Sequence, residues 1–139
     1  MNPMNYKFKK RLMRINVIVF VSALCASTYA ADRPSRESLV ASALDEYGKV
    51  AGAWFLNERC HYVHGDEKAT FKNNVALITV ALGQDLGGPR MLFTIQGGAK
   101  SAADLPKYRE CSGTAKELFN YGYNHSKNWS EQIRKLQKR

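Results

Sequence analysis

After about residue 35, apolar residues recur at spacings of three and four, which is the period of an α-helix. The first segment of this kind has one apolar stripe up to Trp54 and a second stripe that opens on the far side. The members are Leu39, Ala43, Tyr47, Val50 and Trp54, then Leu56, Cys60 and Val63. We predict a helix that begins at Ser35 and ends at Gly65, with its C-terminal half central in the fold.

Two shorter segments with the same period follow. Residues 67–83 carry four apolar residues in helical register, namely Phe71, Val75, Ile78 and Leu82. The stretch VALITVAL also alternates as a strand would, but the length of the segment and the lack of a partner strand favour a helix. GQDLGGP then ends one element, and PRMLFTIQ predicts a short helix closed by Gly97 and Gly98. We expect residues 99–105 to form a linker or a single turn.

The stripe near the end of the chain is the most regular one, and it continues for about eight turns of helix. Its members are Tyr108, Cys111, Ala115, Leu118, Phe119, Gly122, Trp129, Ile133 and Leu136. We predict one continuous helix over this whole segment. The expected fold class is therefore all-α, a small bundle of about four helices whose first and last members are long.

Gly48 and Gly52 stand four residues apart inside the first predicted helix, where each costs about 1 kcal/mol relative to alanine. We interpret the pair as a place where a neighbouring helix approaches closely, with a hinge as the alternative.

The N-terminal residues have the composition of a secretory signal peptide. Five basic residues precede an apolar run from Ile15 to about Cys25, and small residues follow at the positions that a signal peptidase recognises. We predict a signal peptide over residues 1–30, cleaved after Ala30 or alternatively after Ala31, and a single helical domain over residues 31–139. Lipidation at Cys25 is a further alternative, but the preceding leucine is larger than the residue that a lipobox requires.

Export would leave Cys60 and Cys111 in an oxidising compartment, where we expect them to form a disulfide. If the two long helices run antiparallel through this bond, facing residues have numbers that sum to about 171. The expected pairs include Ala53 with Leu118, Tyr47 with Asn124, and residue 46 with His125. A parallel arrangement would leave Trp129 with nothing to pack on. A buried disulfide also argues against a catalytic cysteine, which must be a free and exposed thiolate.

The net charge of the chain excludes few classes of function. The predicted signal peptide holds five of the 21 basic residues and none of the 12 acidic ones, which leaves a net charge of +4 on the remaining chain. The basic residues are spread out except for Arg134, Lys135, Lys138 and Arg139, which we interpret as a solvated helix end. Binding to nucleic acid or to an anionic membrane is the alternative. We expect no nucleic-acid partner and no stable membrane insertion after signal cleavage.

Candidate chemistry concentrates in NERCHYVHGD, residues 57–66. Glu58, His61 and His64 stand three positions apart and can share part of a helix face, so they are candidate metal ligands. A structural zinc site needs four ligands, however, and His125 is distant in the antiparallel arrangement. We therefore interpret His61 as a half-buried histidine that continues the core stripe, and we expect neither a metal nor another cofactor.

No catalytic carboxylate pair, Ser-His-Asp arrangement or phosphate-binding glycine loop is recognisable in the sequence. Binding is therefore favoured over catalysis, with another protein as the expected partner. Tyr62, Tyr121 and Tyr123 fall off the main stripes and are candidate contact residues, with an ordinary amphipathic surface as the alternative.

The stretch Cys60-His-Tyr-Val-His-Gly-Asp66 resembles the Cys, Tyr, Ile/Val, Gly and Asp pattern of small periplasmic immunity proteins of the Rap/Tai class. Those proteins are helical and disulfide-bonded, and they neutralise type VI secreted peptidoglycan amidases. The cysteine here lies one position closer to Tyr62, and the second half of the chain lacks the family's Cys-Ile-Pro segment and its C-terminal cysteine. The layout is also similar to small exported proteobacterial proteins with two cysteines.

The resemblance implies an inhibitor or immunity protein that acts by binding another protein. One alternative is a secreted effector or hydrolase with a cleft around Glu58, His61 and His64. Another is an envelope chaperone or accessory protein, which would have many weak partners.

Overall fold

The computed structural model describes residues 34–138, which contain four α-helices and one short 3₁₀ helix. They are α1 (Arg36–Cys60), α2 (Gly65–Asp85), α3 (Arg90–Ala103), the 3₁₀ helix (Pro106–Tyr108) and α4 (Thr114–Gln137). No strand occurs within this range, so the predicted all-α class is confirmed. The predicted signal peptide, residues 1–30, lies outside the described residues. None of the helices in the described range is long and apolar enough to cross a bilayer.

The chain divides into two compact units between Ala41 and Ser42, inside α1. In the first unit, the Ser35 hydroxyl accepts a hydrogen bond from the Ser38 amide at 3.2 Å. The Ser35 carbonyl accepts another from the Leu39 amide at 3.1 Å. Ser35 is thus the N-cap of α1, in agreement with the predicted helix start. The second unit, from Ser42 onward, contains the core and the site described below.

Helices α1 and α4 run antiparallel and are linked by a disulfide between Cys60 and Cys111. Residue numbers fall along α4 as they rise along α1: Gly52 faces Leu118, Lys49 faces Gly122, and Glu46 faces His125. Each of these pairs lies close to the predicted sum of 171, so both the disulfide and the antiparallel register are confirmed.

The two helices approach each other closely at Gly122. A Cβ atom there would lie 2.5 Å from the Ala53 Cβ atom and 2.6 Å from the Lys49 carbonyl oxygen. At Gly48 and Gly52 the nearest atoms would be 3.5 and 3.8 Å away, which is ordinary contact. The prediction that Gly48 and Gly52 mark the close approach is therefore wrong. The partner helix contributes the glycine that the packing requires.

The core of the second unit consists of three neighbouring groups of buried side chains. They are Tyr47, Val50, Ile78, Leu82, Leu92 and Trp129; then Ala53, Val63, Phe71, Phe119 and Tyr123; and last Leu56, Ala103 and Ala115. The Tyr47 hydroxyl is hydrogen-bonded to Thr79 at 2.8 Å and accepts a hydrogen bond from Gln96, so one buried phenol connects α1, α2 and α3.

Arg59 connects the end of α1 to the end of α3. Its guanidinium donates to the carbonyl oxygens of Ala103, at 2.7 Å, and Tyr108, and lies 3.4 Å from the Asp104 carboxylate. The Ala103 carbonyl is the last of α3 and has no hydrogen-bond partner within its own helix, so the bond from Arg59 satisfies it. The neighbouring Cys60 is thereby held in a fixed position for its bond to Cys111.

Several predicted helix boundaries are wrong. Helix α1 ends at Cys60 because His61 has a φ of +52°, and Gly65 begins α2 instead of ending α1. Helix α4 begins at Thr114, since Cys111, with a φ of +53°, breaks the predicted long helix. A φ in this range cannot continue a right-handed helix.

Helix α3 runs through Gly97 and Gly98 to Ala103, where a linker was expected from residue 99. Leu92 and Ala103 are buried near its two ends. This burial offsets the lower helix propensity of the two glycines, which lie between them.

Candidate functional site

The three candidate tyrosines occupy different environments. The ring of Tyr123 is buried, 5.2 Å from the Phe71 ring and 5.3 Å from the Phe119 ring. The Tyr62 ring is half-buried and stacks on Phe119 at 4.6 Å, and burial raises the pKa of its hydroxyl. Only Tyr121, with 47% of its surface exposed, presents a large part of its ring to solvent. Burial therefore argues against a contact role for Tyr123 and leaves Tyr121 as the main candidate.

Tyr121 belongs to a polar and aromatic group between α1 and α4. Its hydroxyl donates a hydrogen bond of 2.5 Å to Glu46 Oε2, and Lys49 Nζ donates one of 2.8 Å to Glu46 Oε1. The Lys49 ammonium also lies 5.4 Å from the centre of the Tyr121 ring. The same ring stacks on His125 at 5.8 Å with an interplanar angle of 7°. We refer to Glu46, Lys49, Tyr121 and His125 as the Tyr121 cluster.

Helix geometry explains why these four side chains meet. Glu46 and Lys49 are three residues apart on α1, and Tyr121 and His125 are four residues apart on α4, so each pair shares one helix face. The antiparallel register then places the two faces opposite each other. The sequence predicted His125 opposite residue 46, and the distance of 3.7 Å between His125 Nε2 and Glu46 Oε2 confirms it.

The electrostatic balance of the cluster favours an ionised Glu46. Burial alone would raise the pKa of Glu46, but hydrogen bonds from Lys49 and Tyr121 outweigh it and hold that pKa below its usual value. The hydrogen bond to Glu46 raises the pKa of Tyr121. The hydrogen bond from Lys49 to the same carboxylate is also the main reason that the pKa of Lys49 is raised. At neutral pH the cluster therefore holds a carboxylate, an ammonium and a neutral phenol in contact.

His125 is partly enclosed by neighbouring aromatic rings. It stacks on Tyr121 and makes an edge contact of 5.4 Å with the buried Trp129. Burial lowers the pKa of its imidazole, and the nearby Glu46 carboxylate opposes this effect only in part. Within residues 34–138, Nε2 of His125 is buried without a hydrogen-bond partner. A neutral imidazole here supports the Tyr121 ring by packing.

The structure separates the three candidate metal ligands. The Glu58 carboxylate forms an ion pair with the Lys68 ammonium at 2.9 Å. His61 and His64 are both exposed and stack on each other, with ring centroids 6.1 Å apart and an interplanar angle of 16°. The interpretation of His61 as a core histidine is wrong, because α1 ends before it and the helical stripe does not reach it. Residues 34–138 contain no group of three or more His, Cys, Asp or Glu side chains able to hold a metal ion.

Sequence reasoning missed Glu46 and Lys49 as members of the site. Their spacing is common on solvent-exposed helix faces, so it carries no signal by itself. They could have been found by combining two observations. The disulfide sets which residues of the two helices face each other, and both helices carry polar residues at those facing positions. Asn57, which is buried and hydrogen-bonded to both backbone groups of Val63, was missed because those bonds depend on a backbone conformation that starts at His61.

Taken together, the fold and the cluster define a small all-α bundle with one disulfide, whose two long helices hold an exposed tyrosine in a fixed orientation. Comparison of the chain with protein-family models, curated proteins and solved structures finds no match.

Proposed function

We propose that this protein is a non-enzymatic binding protein of the periplasm or the secreted fraction, most concretely an inhibitor or immunity protein, and that the Tyr121 cluster contacts its protein partner. The observation that carries the proposal is the combination of exposure and fixed orientation at Tyr121. The ring is 47% exposed, yet Glu46 holds its hydroxyl and His125 supports its face.

Preorganisation is what makes such a tyrosine suitable for binding. Ordering a flexible side chain at an interface costs about 0.5–1.5 kcal/mol, and the contacts of Tyr121 remove most of that freedom before a partner arrives. Tyrosine is also among the residues most often found at energetic centres of protein interfaces. Lys49 and Asp45, 2.9 Å apart beside the ring, supply charged groups of both signs for the rim of such an interface.

The disulfide supports an exported location. Structural disulfides persist in oxidising compartments such as the periplasm and are rare in the reducing cytosol. The bond between Cys60 and Cys111 therefore agrees with the signal peptide predicted from residues 1–30 and with the resemblance to periplasmic immunity proteins. A secreted hydrolase built on Glu58, His61 and His64 gains no such support, since Glu58 is paired with Lys68.

Affinity capture tests the proposal. Tag-bearing protein without residues 1–30 is incubated with envelope extract, and the retained partner is quantified for the unchanged chain and for two variants. Tyr121→Ala removes the proposed anchor, and Phe93→Ala removes an exposed aromatic ring, 60% accessible, from α3 as the matched control. We expect Tyr121→Ala to weaken capture of a single tight partner by about 30-fold, which corresponds to about 2 kcal/mol for a central interface residue.

Unchanged capture by Tyr121→Ala would remove the cluster from the proposal. Retention of many proteins at low affinity, none of them dependent on Tyr121, would instead favour the chaperone or accessory alternative. Circular dichroism of both variants establishes that a loss of capture does not reflect a loss of helix.

A further inference from the structure

The loop between α1 and α2 is held from inside the protein. Asn57, whose side chain is fully buried, accepts a hydrogen bond of 2.9 Å from the Val63 amide and donates one of 3.4 Å to the Val63 carbonyl. Val63 itself is only 8% exposed. One side chain thus satisfies both backbone groups of a residue at the centre of the loop, which fixes the loop's path.

Two further contacts anchor the same loop. Cys60, directly before it, is bonded to Cys111, and the Tyr62 ring stacks on Phe119. Inward-facing Tyr62 and Val63 are therefore flanked by two residues that project to solvent, His61 and His64. The positive φ of His61 sets the direction of its side chain. The two imidazoles are held as neighbours by a loop that is anchored at its start and along its middle.

The spacing of the two rings is near that of a metal chelate, although their stacked planes, 16° apart, must rotate before their nitrogens can share one metal ion. A metal bound to an imidazole nitrogen at about 2.0–2.1 Å places the two ring centroids of a tetrahedral site about 5 Å apart. The observed separation is 6.1 Å. Both side chains are exposed, and a chelate requires rotamer changes that bring the rings about 1 Å closer and turn their nitrogens toward a common point.

We propose that His61 and His64 form a two-imidazole chelate for a divalent late first-row transition metal ion. Neutral imidazole is a good ligand for copper(II), nickel(II) and zinc(II), and intrinsic affinity along this series is highest for copper(II). Water or a donor from a bound protein completes the coordination, because Glu58 is engaged by Lys68 and contributes no third ligand. The pair shares no residue with the Tyr121 cluster, so the proposal stands independently of the proposed function.

Metal titration of tag-free protein tests the chelate. Copper(II) and zinc(II) are titrated against a competing chromogenic chelator with the unchanged chain, His61→Gln and His64→Gln, and with Lys72→Gln, an exposed position on α2, as the control. His61 and His64 are exposed, so their replacement leaves the core intact. We expect each loop variant to lower the copper(II) affinity at least about tenfold, since even loss of a supporting group has an effect of that size, and the control to bind as before.

Electron paramagnetic resonance of the copper(II) complex supplies a second readout. Two coordinated imidazole nitrogens are expected in the unchanged chain and one in either loop variant. Equal affinity of the unchanged chain and both loop variants would overturn the proposal, and so would a spectrum with a single imidazole nitrogen in the unchanged chain.

Discussion

The close contact at Gly122 leads to the most specific prediction about the fold. In Gly122→Ala, the new methyl group would lie 2.5 Å from the Ala53 Cβ atom and 2.6 Å from the Lys49 carbonyl oxygen. Carbon atoms in favourable contact are about 3.5–4.0 Å apart, so α1 and α4 must separate by roughly 1 Å. Lys49 contributes a backbone atom at this contact, which cannot rotate away as a side chain would.

The expected net effect combines two opposing contributions. Overpacking of this kind costs about 1–3 kcal/mol, and an obstructing backbone carbonyl places Gly122→Ala at the upper end of that range. Replacement of a helical glycine by alanine returns about 1 kcal/mol through helix propensity. We therefore expect the free energy of unfolding to fall by about 2 kcal/mol, measured by guanidinium denaturation followed by circular dichroism.

Gly52→Ala is the matched control on the same helix pair. A Cβ atom at Gly52 would meet only the Leu118 Cδ2 atom, at 3.8 Å, so the alanine fits without movement. This variant should be more stable than the unchanged chain by about 0.5–1 kcal/mol. If Gly122→Ala also proved neutral or stabilising, the antiparallel contact between α1 and α4 would not be as close as described.

Three further predictions concern the disulfide, the loop between α1 and α2, and the imidazole of His125. The double variant Cys60→Ser, Cys111→Ser should lose about 4 kcal/mol of unfolding free energy in denaturant titrations, because the bond spans 51 residues; a loss near zero would contradict this. Asn57→Ala leaves two buried backbone groups of the loop without partners and should cost about 1–3 kcal/mol, and a neutral result would sink that assignment. Burial lowers the pKa of His125 in the folded chain, so the unfolded chain takes up its proton first and stability should decline as pH falls below about 6.5. Melting temperatures between pH 7.5 and 5 should show a shallower decline for His125→Gln than for the exposed His64→Gln, and equal slopes would refute the effect.

The helical pattern was predictable because burial of one face imposes its period directly on the sequence. Phe71, Val75, Ile78 and Leu82 were placed in one helical register from spacing alone; three of them are buried, and Val75 is partly buried. The disulfide added long-range information, since one fixed point between two antiparallel helices sets the register of every other pair. That register is what placed His125 opposite residue 46 before any contact was known.

Helix ends were less predictable because they depend on single backbone angles. His61 and Cys111 adopt positive φ values, which are uncommon for any residue other than glycine, and nothing in the neighbouring sequence marks the change. Gly65 carried the expected signal of a helix end but begins α2. The stacking of His61 on His64 depends on the positive φ of His61. A sequence pattern read as one continuous helix could not predict it.

The sequence alone could not show which of the tyrosines is exposed, because that depends on how the helices pack. Tyr121 and Tyr123 are two residues apart on α4 and thus point in different directions, but spacing does not say which of them the neighbouring helices cover. Tyr123 lies against Phe71 and Phe119, whereas Tyr121 emerges beside Glu46. The position of α2 decides between them, and that position depends on long-range contacts.

Site-specific photocross-linking in intact cells tests the proposed binding surface most directly. A benzophenone side chain is introduced in place of Tyr121 and, in a separate control, in place of Phe93, which is exposed on α3. We predict one defined protein adduct from position 121 and none of that mass from position 93. An adduct that forms from position 93 while position 121 gives none, or identical adducts from both positions, would contradict a binding surface centred on Tyr121.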